Sequence, residues 1–169
     1  MEKCTGTQFA DEAEVVFQTH GIYLWGGNGE LTESLTIKKI RQKEQSLHDA
    51  ARVLSFIAEQ YDTGRDMTAS RAVDCSGLEI YILRKLKCID ASADYRARDL
   101  QAKSKVIILD NLKAGDQVYN KKTGATHMGT YVGNGFVIEA AGRDQGVIKR
   151  KLSAGKWVIG GRLPYIKEE

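Results

Sequence analysis

Hydrophobic residues recur at helical spacing through the first 103 residues of the chain. The first helix is predicted over 8–19 from the positions of Phe9, Ala13, Val16 and Phe17. The second and most amphipathic helix is predicted from a stripe of Leu47, Ala50, Ala51, Leu54, Ile57, Ala58 and Tyr61. A third helix should begin around Cys75, and a shorter one should cover 94–103. The glycine-rich segment 23–29 is predicted to be a turn.

The rest of the chain has a pattern that is typical of β-strands. Short β-branched or aromatic runs, separated by Gly, Asn or Asp, predict six strands over 105–109, 116–120, 127–133, 136–141, 147–152 and 157–163. Helices followed by a meander of strands favour an α+β fold with an antiparallel sheet. Neither a repeat nor an interdomain linker is visible, so 1–169 is predicted to form a single domain.

Composition narrows the class of protein. An apolar content of 42% over 169 residues is enough for one core, and a chain of this size buries about 70% of its unfolded surface. The net charge of +3 is too small to indicate a dedicated nucleic-acid binder. No apolar run approaches the roughly 18–20 residues that span a bilayer, so we expect no stable membrane insertion.

The N-terminus and the cysteines bear on location and cofactors. The first residues lack the basic and apolar regions of a secretory signal, so synthesis in the cytoplasm without a signal peptide is expected. Cys4, Cys75 and Cys88 follow neither a metal-binding nor a disulfide spacing. We therefore expect no metal and no cofactor.

Candidate chemistry concentrates at Cys75 and His127. Cys75 stands at a predicted helix start, where free backbone N–H groups and the helix dipole should lower the pKa of the thiol. His127 begins a predicted strand and could accept the thiol proton. On chemistry alone, an inert buried cysteine is the favoured interpretation, because free cysteines are commonly buried.

Five short motifs surround these two candidate residues in the sequence. Asp-Cys-Ser-Gly-Leu at 74–78, Leu-Lys-Ala-Gly-Asp-Gln-Val-Tyr at 112–119 and His-Met-Gly-Thr-Tyr-Val-Gly at 127–133 stand in that order. Tyr-Leu-Trp-Gly-Gly at 23–27 precedes them, and Val-Ile-Gly-Gly-Arg at 158–162 follows. In order and spacing they resemble the NlpC-type cell-wall cysteine peptidases, over roughly 8–30 and 73–163.

The resemblance implies a papain-like fold, in which the helix that carries the nucleophile packs on a five- or six-stranded antiparallel sheet. It implies Cys75 as the nucleophile, His127 as the general base and Glu139 as the residue that orients the histidine. The third position is more often His, Asn or Gln in the family, so Glu139 is a departure, and it could instead be a bystander. The substrate-binding positions implied by the resemblance are Tyr23, Asp74 and Ser76.

A second departure is a segment of about 45 residues between Gly27 and Asp74. We interpret 31–72 as a helical insertion that forms a wall of the substrate groove or adds core, and the wall is favoured. Its polar loop at 62–70 is predicted to tune substrate choice.

The implied function is a peptidoglycan hydrolase that cleaves a stem-peptide amide, between D-glutamate and the diamino acid. Peptidoglycan stem peptides are the expected partner; nucleic acid is not, and protein partners stay open. The alternatives are an N-acetylmuramoyl-L-alanine amidase and a catalytically silent wall-binding or phage structural domain. Without a signal peptide, action on the wall would follow phage-type release, as for an endolysin, or dedicated export.

Strand register decides whether Glu139 can reach His127. A plain two-residue turn at Asn134-Gly135 would put Glu139 on the wrong face of the hairpin. A three-residue loop, or an equivalent bulge, would pair His127 with Ala141 and bring Glu139 to the same face. We predict the loop or bulge.

Overall fold

The structure, a computed structural model, describes residues 1–168. The helices are α1 (Gly6–Gln18), α2 (Ile37–Lys43), α3 (Leu47–Asp62), α4 (Cys75–Lys85) and α5 (Ala97–Lys103). The first three strands are β1 (Ile22–Tyr23), β2 (Asn28–Leu31) and β3 (Arg71–Val73). The other six are β4 (Lys105–Ile107), β5 (Gln117–Tyr119), β6 (Met128–Gly133), β7 (Phe136–Gly142), β8 (Gly146–Lys151) and β9 (Ile159–Arg162).

The main sheet has six strands in the order β4-β9-β5-β6-β7-β8, and every pairing in it is antiparallel. Helices α1 and α4 pack on one face of it. The core between them is apolar and fully buried, and includes Phe9, Ala13, Leu78, Ile82, Met128, Ile138 and Ala140. This arrangement confirms the predicted α+β class with a helix on an antiparallel sheet.

Side-chain caps set the starts of the long helices. Thr5 accepts the N–H of Gln8 while the Gln8 side chain accepts the N–H of Thr5, which forms a capping box at α1. Ser46 caps α3 through the N–H of Asp49, and Asp74 caps α4 through the N–H of Gly77. The last cap places Cys75 in the first turn of α4, as the sequence predicts.

A small second sheet was not predicted. Its order is β1-β3-β2, and β1 runs parallel to β3 with Tyr23 opposite Val73. The turn predicted over 23–29 is present at 24–27, but the segment also contains the end of β1 and the first half of β2. These strands are two to four residues long, and their partner lies more than 40 residues further along the chain. No local alternation reveals such a pairing.

The segment 31–72 builds a second core rather than a free wall. It contains α2, which periodicity did not reveal, and α3, which it did. Its buried side chains pack with those of β1 and β3 in one cluster made of Ile22, Leu24, Ile40, Ala50, Val53, Met67 and Ala72. The cluster supports the small sheet that leads into Cys75.

The loop 62–70 lies away from the end of this sheet that leads into Cys75. The Ser70 hydroxyl is fully buried and donates to the carbonyl of His20, which precedes β1. Cys75 and Tyr23 stand at the opposite, carboxyl ends of β3 and β1. The part of the segment that reaches the site is instead the end of α2, where the Lys43 ammonium donates to the carbonyl of Gly26.

The β6–β7 hairpin has the register that the sequence argument requires. Thr130 pairs with Ile138 and Tyr131 with Val137, which puts His127 in line with Ala141. A bulge after Tyr131 adds one residue to β6 before the turn. The turn residues Asn134 and Gly135 have φ of 54° and 81°, as a two-residue primed turn demands. The predicted equivalent bulge is confirmed.

Candidate active site

Two glycine-containing motifs meet at the start of α4. The N–H of Asp74 donates to the carbonyl of Gly27 at 3.1 Å, and the N–H of Gly26 donates to Asp74 Oδ2 at 2.8 Å. A Cβ added at Gly77 would stand 1.8 Å from the Gly27 carbonyl oxygen. Only glycine permits that approach, and it holds the loop after Tyr23 against the first turn of α4.

The Cys75 thiol lies against the backbone on both sides of His127. Its Sγ is 3.9 Å from the carbonyl oxygen of Thr126. Hydrogen bonding from the N–H of Met128 also acts on the thiol. The first turn of α4 therefore faces the start of β6, where the sequence argument placed the histidine.

The expectation of a lowered pKa at Cys75 is wrong. Burial, and to a smaller extent the carboxyl groups of Asp74 and Glu79, raise the pKa of the thiol to about 12. The N–H groups of Ser76 and Met128 lower it, but less than these effects raise it. Cys75 is consequently a neutral thiol at pH 7, and a base must remove its proton before it can attack.

His127 is held between a carboxylate and an aromatic ring. Its Nε2 is 3.0 Å from Glu139 Oε1, and Glu139 is almost fully buried. The Trp157 ring stacks on the imidazole, with centroids 5.3 Å apart and 17° between the planes. Because Nε2 faces Glu139, Nδ1 is the nitrogen left to exchange a proton with a neighbouring group.

Arg150 completes this cluster. Its Nε and Nη2 donate to the two oxygens of Glu139 at 2.9 and 3.0 Å. Burial opposes ionisation of Glu139, but the hydrogen bonds from His127 and Arg150 hold the pKa of this carboxyl below its ordinary value. Glu139 is therefore a charged acceptor for His127, which is the geometry that an orienting residue needs.

Sequence reasoning missed Arg150 and Trp157. Arg150 is diagonal to Glu139 because Glu139 pairs with Ile148 across β7 and β8, and this register could not be read from the sequence. Trp157 was placed in the last predicted strand, but β9 begins at Ile159. Trp157 lies in the preceding loop, and its ring covers His127.

The predicted substrate-binding residues border one side of the thiol. Asp74 and Ser76 line a groove of about 430 Å³ that also includes Trp25, Gly26, Asn28, Asp94, Tyr95, Arg96 and Asp99. Burial raises the pKa of Asp74, although two backbone N–H groups donate to it. A second hollow of about 260 Å³ starts at His127 and includes Trp157, Arg150 and Lys156. The chain neighbours of Cys75 thus line the first hollow, and His127 lines the second.

Tyr23 is held beside the thiol by a buried ion pair. Arg143 lies over the Tyr23 ring at 5.4 Å, and its Nε donates to Glu44 Oε2 at 2.7 Å. The other oxygen of Glu44 accepts the N–H of Trp25 at 2.9 Å. Burial raises the pKa of Tyr23, and the nearby Cys75 adds to the effect. Glu44 and Arg143 were not singled out in the sequence, since they are 99 residues apart.

A helix that begins at a cysteine and packs on an antiparallel sheet, with a histidine at the start of the interior strand β6, defines a papain-like domain. The model of the NlpC/P60 family matches residues 58–159, and the chain belongs to that family. A comparison with curated proteins gives no match. No helix within residues 1–168 combines the length and apolar character needed to cross a bilayer.

Solved structures share the fold at low sequence identity. The NlpC/p60 domain of the peptidoglycan hydrolase SagA is 17% identical with a TM-score of 0.59, covering 94% of this chain and 99% of that one. The P60 domain of the antigen MAP1204 from M. avium subspecies paratuberculosis is 19% identical with a TM-score of 0.57, covering 96% and 98%. RipD from Mycobacterium tuberculosis, a non-catalytic NlpC/p60 protein adapted to peptidoglycan binding, is 13% identical with a TM-score of 0.56, covering 91% and 96%.

Proposed function

We propose that this protein is a cysteine peptidase that hydrolyses a stem-peptide amide of peptidoglycan, between D-glutamate and the diamino acid. The observation that carries the proposal is the connected cluster at the start of α4. Cys75 contacts the backbone around His127, and His127 bonds to a buried, charged Glu139. A domain that only bound the wall would not require this arrangement of nucleophile, base and orienting acid.

The reaction begins with a neutral thiol. His127 accepts the proton of Cys75 as Sγ attacks the amide carbonyl carbon, so the thiolate forms only as the new C–S bond forms. Glu139 stabilises the resulting imidazolium, as an acid does in other triads. The tetrahedral oxyanion accepts a hydrogen bond from the Cys75 N–H, which has no intrahelical acceptor at this position. We assign the Tyr23 hydroxyl as the second donor.

Collapse of this intermediate breaks the C–N bond and leaves a thioester on Cys75. The imidazolium gives its proton to the departing amine. Water then attacks the thioester carbonyl while His127 accepts one of its protons; the C–S bond breaks, this proton returns to sulfur, and the product leaves as a carboxylic acid that ionises in solvent. Each step uses one proton acceptor, and Glu139 keeps its charge throughout.

The charges of the two hollows favour one direction of the substrate. The groove beside Asp74 also contains Asp94 and Asp99, whereas Arg96 is ion-paired with Asp99. Its negative field suits the half of a stem peptide that carries a free amine. In the hollow beside His127, Lys156 forms no ion pair within residues 1–168. We assign this lysine to the side-chain carboxylate of the diamino acid on the leaving side.

Hydrolysis of defined muropeptides tests the proposal. L-Ala-γ-D-Glu-meso-diaminopimelate should yield L-Ala-D-Glu and the free diamino acid, identified by mass spectrometry, and Cys75→Ala and His127→Ala should yield neither. Release of an intact tripeptide from a muramyl-tripeptide would instead indicate an amidase. Binding of wall fragments with no product from the wild type would place the protein with the non-catalytic relatives and refute the proposal.

A further inference from the structure

A glutamate lies in the apolar core directly beneath the nucleophile. Glu79 stands four residues after Cys75, one turn further along the same face of α4. It is fully buried, and the neighbouring α4 residues Leu78 and Ile80 are buried as well. An acid at such a position is rare, since a charged carboxylate in a core costs several kcal/mol unless it is paired.

Within residues 1–168, no cation forms an ion pair with Glu79. The Thr130 hydroxyl on β6 donates to Glu79 Oε1 at 2.8 Å, and Gln117 Oε1 on β5 lies 3.1 Å from the same hydroxyl. Both Thr130 and Gln117 are fully buried. Glu79 Oε2 has no hydrogen-bond partner at all within the part of the chain that the structure describes. Oε1 accepts a hydrogen bond, whereas Oε2 is buried without a partner among the described residues. This environment favours the neutral carboxylic acid over the charged carboxylate.

The titratable groups around Glu79 are all acidic or neutral. Asp74 and Cys75 stand at the start of α4, and the Tyr119 phenol on β5 senses the charge of Glu79. The core residues of α1 and β7 that face α4 are apolar and include Phe9, Ala13, Ile138 and Ala140. The charged groups of these two elements point away from Glu79: Glu12 and Glu14 pair with Lys85 and Lys149, Asp11 is exposed, and Glu139 pairs with Arg150.

We propose that Glu79 is a positioning residue which supports the nucleophile only as a neutral carboxylic acid, and that its ionisation imposes an alkaline limit on the activity. The inference rests on Cys75 being the nucleophile of the proposed function. As an acid, Glu79 ties α4 to β6 through Thr130 without placing a charge under the thiol. As a carboxylate, it would oppose the negative charge that develops on Sγ and on the oxyanion.

The pH range follows from the burial of the carboxyl. Burial raises the pKa of Glu79 to about 8, while the hydrogen bond from Thr130 lowers it. Glu79 is therefore neutral at pH 7 and ionises one unit above it. This is far below the pKa of about 12 for the Cys75 thiol, so the thiol itself cannot impose the limit.

The pH profile of kcat/KM for the wild type and Glu79→Gln is the first test. Glutamine has the shape of the neutral acid but does not ionise. The wild type should lose activity up to tenfold per pH unit above about pH 8, whereas the variant should stay level to pH 9.5 and match the wild type within a few fold at pH 7. A parallel alkaline decline in both proteins would overturn the proposal.

Thr130→Val gives a directional second variant. It removes the donor that lowers the pKa of Glu79, so the alkaline limit should move to higher pH rather than disappear. An unchanged or lower limit in a folded Thr130→Val protein would contradict the assignment. Arg84→Gln, on the same helix but bonded to the Ala93 carbonyl, is the matched control and should leave the limit unchanged.

Infrared difference spectra test the protonation state of Glu79 without measuring hydrolysis. Between pH 6 and 9.5 the wild type should lose the carbonyl band of one protonated carboxylic acid, and Glu79→Gln should lack that band. Its absence from the wild type at pH 6 would refute the neutral acid, whatever the activity. If the band is present but the protein does not hydrolyse muropeptides, the proposed function is wrong while the assignment of a buried neutral acid stands.

Discussion

Replacing Arg143 by methionine should strongly destabilise the protein, because it leaves the buried carboxylate of Glu44 without its cation. The Glu44 side chain is 0% exposed and that of Arg143 is 14% exposed, with Nε and Oε2 2.7 Å apart. After the substitution Glu44 would keep only the hydrogen bond from the Trp25 N–H. Methionine retains much of the contact with the Tyr23 ring, so the main change is the loss of the cation.

Removing one partner of a buried ion pair costs about 3–5 kcal/mol. The surviving Trp25 hydrogen bond puts the expected loss near the lower end, at about 3 kcal/mol. An unfolding entropy of ~2.1 cal/mol/K per residue corresponds to ~0.35 kcal/mol/K for 169 residues. The melting temperature should therefore fall by ~9 °C.

Urea unfolding of Arg143→Met, Glu44→Gln and the double variant measures the pair directly. The double variant should lose less than the sum of the single losses, by ~2 kcal/mol, because it leaves no buried charge unpaired. Arg52→Met is the matched control, since it breaks the exposed pair with Asp144 and should change stability little. Additive losses, or an Arg143→Met variant as stable as this control, would refute the reasoning.

Three shorter predictions concern the site itself. Cys75→Ala should abolish hydrolysis with little change in melting temperature, whereas Cys88→Ala, which alters a buried thiol away from the site, should retain activity; loss of activity in a folded Cys88→Ala protein would overturn the nucleophile assignment. Arg150→Met should move the midpoint of acid unfolding, followed by circular dichroism, to higher pH. The pKa of Glu139 is lower in the folded protein than in the unfolded chain, so the ionised carboxylate stabilises the fold, and this stabilisation is lost as the pH falls. Arg150 supplies part of the lowering of this pKa. An unchanged acid midpoint would contradict this role. Lys156→Met should raise KM more than it lowers kcat for a peptide ending in diaminopimelate, and should leave the lysine-containing analogue unaffected; equal effects on both peptides would remove Lys156 from substrate recognition.

Much of the fold follows from local patterns in the sequence. The apolar stripe of α3 and the Asp74 cap of α4 each depend on residues within a few turns, so periodicity and capping preferences reveal them. The hairpin register could also be argued in advance. Because side chains alternate strictly along a strand, only a bulge allows Glu139 and His127 to share a face.

The tertiary structure decided what depends on residues far apart in the chain. Glu139 was predicted, but its partner Arg150 is brought to it by the pairing of β7 with β8. Glu44 meets Arg143 across 99 residues, and Trp157 reaches His127 from a loop that was predicted as strand. None of these contacts has a signature within a window of sequence.

The state of the ionisable groups was likewise decided by packing. The helix dipole at the start of α4 favours a thiolate at Cys75, as the local argument states. Burial against β6 and the nearby acids outweighs it, and the same burial raises the pKa of Glu79. The sequence by itself determines which groups can ionise and roughly where they stand. Their charge at neutral pH depends on how much water and which neighbours the fold leaves around them, since desolvation arises only when distant segments close over a group.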